Sequence, residues 1–98
     1  MAYRFEWDNR KAGANLGKHG ISFEEASTVF DAPLAANFHD EAHSAMETRE
    51  LIIGHSVVDR LLLVCFAERS GEIIRLISAR VATKKERDDY EESLKRTP

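Results

Sequence analysis

RELIIGHSVVDRLLLVCFAERSGEIIRLISARVA, residues 49–82, decides the fold. Three apolar runs stand in it: RELIIGHSV (49–57), RLLLVCFAE (60–68) and EIIRLISARVA (72–82). VDR and RSGE separate them, and Ser70-Gly71 suits a hairpin turn. Runs of strand length with connections this short favour antiparallel pairing, because a parallel pair needs a crossover of a dozen residues or more. The stretch therefore predicts an antiparallel meander. The single cysteine, Cys65, falls within the second run and reads as a buried strand residue rather than a nucleophile. On the third strand, simple alternation puts Arg80 on one face with Ile74, Leu76 and Ser78, projecting from the rim of the sheet.

Upstream, YRFEWD alternates, with Tyr3, Phe5 and Trp7 on one side and Arg4 and Glu6 on the other, as in a short half-buried strand. Asp8 can cap a helix running to about His19, and Gly20 suits the position past its end. SFEEASTVF opens with Ser22 and Glu25 in capping-box spacing, and Phe23, Ala26, Val29 and Phe30 form one stripe. Pro33 ends that segment. LAANFH is a weak strand, and HDEAHSAMET reads as a loop between strands. Downstream, Thr83 and Glu86 make a second capping box for a charged helix to about Leu94. Its Tyr90 and Leu94 can dock on the sheet, while Arg87 and Glu91 can pair outside. The expected architecture is α+β: a small antiparallel β-sheet meander with two N-terminal helices and one C-terminal helix, in one domain over residues 1–98.

Hydrophobic residues make up 43% and charged residues 32%, the balance of a folded soluble chain rather than a disordered one. No apolar run approaches the roughly 20 residues of a membrane span, and the start lacks the apolar segment of a signal peptide, so the expected location is cytoplasmic. The net charge of −3 does not announce a nucleic-acid binder. The distribution is uneven: residues 19–48 hold six acids and no Lys or Arg, whereas ten basic residues follow from Arg49 onward. Nucleic acid could be held only on a local basic face.

HDEAH, residues 39–43, places two histidines four apart, as in half of a helical zinc site. Asp40 stands where the catalytic Glu of such a motif belongs, no apolar periodicity supports a helix there, and no third ligand is marked by spacing. His19 and His55 are isolated in sequence. A zinc hydrolase is therefore disfavoured, and no metal or other cofactor is expected.

FEWD, then Lys11 and Asn15, then KHGISFEEA and VFD, then Asp40, His43, Glu47 and Arg49 within DEAHSAMETRELIIG, and finally RLISARVATKKERDDYE, stand in an order and spacing that resemble the BrnT family of toxins from bacterial type II toxin–antitoxin systems. The likeness runs over almost the whole chain. His43, Glu47 and Arg49 form an H-x-x-x-E-x-R pattern, to which His39 does not belong. The resemblance implies a RelE-like ribonuclease fold and cleavage of an RNA substrate without a metal. It also implies a BrnA-type ribbon-helix-helix antitoxin that neutralises the toxin. Operator DNA would be bound only indirectly, through that antitoxin, and no membrane is involved.

Metal-free RNA cleavage needs groups to take a proton from the ribose 2′-hydroxyl and give one to the leaving oxygen, and donors around the phosphate as its charge grows. The expected catalytic residues are His19, Glu47, Arg49 and Arg80. Lys18, His43, Lys84 and Lys85 are the expected substrate contacts. Most have a structural alternative: Arg80 can pair with Glu86, Glu47 with Arg49, Lys18 and His19 suit a helix C-terminus by charge alone, and Lys84 and Lys85 can be plain solvated charge. Trp7 and Tyr90 read as packed residues. Two rival functions are a catalytically weak homologue acting only as an antitoxin-binding protein, which the acidic balance favours, and a DNA-binding regulator, which no helix-turn-helix pattern supports.

Overall fold

The three apolar runs become β3 (Glu50–His55), β4 (Leu61–Glu68) and β5 (Ile73–Val81) of a five-stranded sheet. Ahead of them come β1 (Arg4–Glu6), α1 (Asn9–His19), α2 (Phe23–Thr28), a 3₁₀ turn (Val29–Asp31) and β2 (Ala36–His39). The last element is α3 (Lys84–Lys95). The computed structural model describes residues 3–39 and 48–96; of the expected site residues, His43 and Glu47 lie outside these.

The sheet order is β1-β5-β4-β3-β2. Strands β2 to β5 form the expected antiparallel meander. The sheet as a whole is mixed, however, because β1 joins its far edge parallel to β5, with Arg4–Glu6 beside Ile73–Arg75. Nothing local in sequence marks that pairing, since it joins the two ends of the chain.

Both faces of the sheet are covered. On one, Ile52, Leu62, Val64, Phe66, Ile74, Leu76 and Ala79 meet Ile21, Phe23, Ala26 and Val29 from the α1–α2 layer. On the other, Ile53, Leu61 and Leu63 meet Tyr90 of α3, with Leu94 partly buried beside them. Strand β4 is buried from Leu61 to Ala67, which explains why it reads as an unbroken apolar run instead of alternating. Each large side chain so buried contributes roughly 1.5–3 kcal/mol. Trp7 packs edge-on against Phe23, and the Tyr90 hydroxyl donates to the Leu34 carbonyl at 3.1 Å, so both are structural.

One register shift corrects the sequence reading. Cys65 pairs with Ser78 but the neighbouring Phe66 pairs with Leu76, so Ile77 is an extra residue in β5. The bulge reverses the alternation. Ala79, 1% exposed, takes the place on the α1–α2 face that strict alternation assigns to Ser78. Arg80, opposite Leu63, consequently lies on the α3 face and not with Ile74 and Leu76.

The capping signals hold with one change. Asp8 accepts from the N–H groups of Arg10 and Lys11, and Gly20 ends α1 at φ 71°. Thr83 and Glu86 complete both halves of their capping box. Ser22 accepts from the Glu25 N–H, but the Glu25 carboxylate turns away to Arg60 and the Ser56 hydroxyl, so that box is only half formed. Gly71, at φ 65°, sits in the β4–β5 turn as expected.

Candidate functional site

Strand β1 covers the edge of β5 only as far as Arg75. Beyond that point α1 lies along the edge, and Asn15 takes the role of a strand partner. Its side-chain oxygen accepts the Ala79 N–H at 3.0 Å, and its amide nitrogen donates to Ala79 O at 2.8 Å and Ile21 O at 2.9 Å. An open cleft of about 330 Å³ lies here, between α1 and β5. Lys11, Lys18 and His19 line it from α1, Arg49 from the residue before β3, and Ser78 from β5.

The structure thus brings together three of the expected residues, Lys18, His19 and Arg49, from elements about thirty residues apart. Among the described residues, no carboxylate lines this cleft. A chain with a net charge of −3 concentrates cations at one place, which is what a local anion site requires. Lysines and an arginine repel a divalent cation, and no cluster of three or more metal-ligating side chains occurs among the described residues.

Arg80 stands two residues beyond Ser78 on the same face of β5. It does not line the cleft. Its guanidinium forms a fork on Glu86, with two N–O distances of 2.8 Å, and Glu86 also accepts the Thr83 N–H at 2.8 Å. The guanidinium is the main reason the Glu86 carboxyl is held down at about 2, and the Thr83 backbone bond adds to it. The same pair raises Arg80 above the usual arginine value. Arg80 therefore satisfies the structural alternative: it ties β5 to the start of α3.

Lys84 and Lys85 point into solvent, paired with Asp88 at 2.9 Å and Asp89 at 3.2 Å. Neither lines the cleft. His55 lies 3.4 Å from Asp59 and edge-on to Tyr90, and His39 is exposed at the end of β2. Cys65 is buried.

Lys11, Asn15 and Ser78 also line the cleft and were not among the expected site residues. The signal for the first two was present: Lys11, Asn15, Lys18 and His19 fall at i, i+4, i+7 and i+8, one stripe of a helix. Ser78 was misplaced because the bulge was not foreseen.

No helix among the described residues is long and apolar enough to cross a membrane. No curated protein matches the chain. Among solved structures, the crystal structure of the Brucella abortus ribonuclease toxin BrnT is similar. It is 25% identical, with a TM-score of 0.66, over 85% of this chain and 100% of the other. The family described as "Ribonuclease toxin, BrnT, of type II toxin-antitoxin system" matches residues 7–86. With most of its length matched and the fold shared, the chain belongs to the BrnT family of ribonuclease toxins of type II toxin–antitoxin systems.

Proposed function

We propose that this protein is a metal-independent endoribonuclease whose centre is the cleft between α1 and β5. The observation that carries the reading is the meeting of Lys18, His19 and Arg49 in one cleft whose described lining holds no acid. In the reaction, the ribose 2′-hydroxyl loses its proton and attacks the neighbouring phosphorus. The bond from phosphorus to the 5′ oxygen breaks, that oxygen is protonated, and a 2′,3′-cyclic phosphate remains. Histidine can fill either proton role near neutral pH. We assign one role to His19 and the other to Glu47, close in sequence to Arg49.

Arg49 offers a planar fork for two phosphate oxygens, and Lys18 a compact positive charge. Both stabilise the phosphorane, whose charge exceeds that of the ground state. Lys11 extends the cationic wall along the strand. Arg80 acts from the same face of β5, as a residue that holds α3 in place beside the centre, and as a phosphate contact only where RNA displaces Glu86. His43 is assigned a contact to a base or to the scissile phosphate. Lys84 and Lys85 contribute at most to attracting RNA from a distance.

A BrnA-type ribbon-helix-helix antitoxin is the proposed partner, covering the cleft and linking the complex to operator DNA; the proposed location is the cytoplasm. Expression without that antitoxin tests the reading. Growth should stop, and RNA fragments ending in 2′,3′-cyclic phosphate should accumulate. Normal growth with abundant folded protein would favour the alternative, a homologue that acts only by binding its antitoxin.

A further inference from the structure

Helix α1 is poorly equipped to hold its own position. Its sequence, NRKAGANLGKH, carries two glycines and two asparagines in 11 residues. Gly13 and Gly17 each cost a helix up to about 1 kcal/mol relative to alanine. Neither is required by space, because a Cβ at either position would meet nothing within 4 Å, and neither has a positive φ. Nor does apolar burial anchor the helix strongly. Leu16 is 52% exposed, and the one buried residue of α1 is polar, Asn15.

Asn15 is a poor choice for helix stability and an effective one for placement. Its carboxamide uses both donors and its acceptor, two of the three bonds on a single strand residue, Ala79. A fork of this kind fixes both the height of α1 along β5 and its rotation about its own axis. Rotation is what matters for the cleft. Lys11, Lys18 and His19 stand at i−4, i+3 and i+4 from Asn15, so they are its nearest neighbours on the helix surface. Ser78 is the residue before Ala79. The same three hydrogen bonds therefore set these groups against one another.

We propose that Asn15 is a positioning residue of the nuclease centre: it locks the rotation of α1 so that Lys18 and His19 face Ser78 and Arg49. This rests on the function proposed above. The alternative is that Asn15 matters only for folding, and a compensated variant separates the two. Asn15→Ala removes the fork. Adding Gly13→Ala and Gly17→Ala restores helix stability without restoring the lock.

The experiment compares the wild type, Asn15→Ala and the triple variant by RNA cleavage, thermal unfolding and the NMR signals of the His19 ring. The expected result is a triple variant with most of the wild-type melting temperature but kcat down about 100-fold, the scale of a 1 Å misplacement. KM should change far less. The His19 ring signals should move or broaden while those of His55 do not. A triple variant that regains kcat along with its stability overturns the proposal, as does an unchanged His19 environment in Asn15→Ala. If the wild type cleaves no RNA, the proposed function fails, and the His19 signals still decide whether Asn15 places that ring.

Discussion

Replacing Glu86 with glutamine removes the charge that holds Arg80 and keeps a side chain of nearly the same shape. Of the two 2.8 Å contacts to Arg80, the one made by the oxygen that also accepts the Thr83 N–H becomes a neutral acceptor, and the other is lost, because an amide nitrogen donates and cannot accept from a guanidinium. The Glu86 carboxyl is lowered from 4.5 to about 2, and at 1.36 kcal/mol per unit this corresponds to about 3 kcal/mol before screening. The pair is partly open to solvent, with the side chains 36% and 30% exposed, so the net contribution is about 1–2 kcal/mol. In a domain of this size that is a fall in Tm of roughly 5–15 °C. The sign of the pH dependence follows from the lowered value. The stabilisation is complete above about pH 4.5, where the carboxyl is ionised in both folded and unfolded chains, and is lost as pH falls toward 2. Urea unfolding of wild type and Glu86→Gln at pH 7 and pH 3, followed by circular dichroism, reads the difference directly. A gap that narrows by more than half at pH 3 supports the reasoning. A gap of the same size at both pH values refutes it, because the contribution would then not be the ionised pair.

Three further expectations follow from other parts of the molecule. Gly54→Ala should cost about 1–3 kcal/mol in the same unfolding assay, since its Cβ would sit 2.9 Å from the Ala35 Cβ and 3.2 Å from Val29 Cγ1. Arg60→Ala should let the Glu25 carboxyl rise toward its ordinary value, because the Arg60 hydrogen bond is the largest influence holding it down; an NMR titration of Glu25 checks this. Lys18→Gln should weaken binding to a non-cleavable RNA and reduce the slope of log K against log salt by about 0.7, the share of one phosphate contact on a single strand.

Local signals were legible and non-local ones were not. Asp8, Gly20, Thr83 and Glu86 act where their side-chain chemistry and spacing placed them, because a cap involves only residues within one turn. The apolar runs named the three long strands for the same reason. The parallel pairing of β1 with β5 could not be read, because its partners are about seventy residues apart. Glu25 fitted the capping box by spacing, yet Arg60, on a distant turn, offered its carboxylate a charged fork, which outweighs a backbone N–H. The bulge at Ile77 misled the reading of Arg80. Its trace was a serine at 78 followed by an alanine at 79, with the polar residue at the position that strict alternation gives to the core. In the site, Lys18, His19 and Arg49 were named from sequence and do meet. Asn15 was noticed only as part of a resemblance; its work is a contact with a strand 64 residues away.

The most direct test of the cleft as a nuclease centre is cleavage of a defined RNA in excess chelator by the wild type, His19→Gln and Arg49→Ala, each shown to be folded. The wild type should cleave undiminished by the chelator, releasing a 2′,3′-cyclic phosphate, and each variant should lose at least about 100-fold in kcat/KM. Wild-type cleavage abolished by the chelator, or variants that cleave as fast as the wild type, would contradict a metal-independent centre in the cleft.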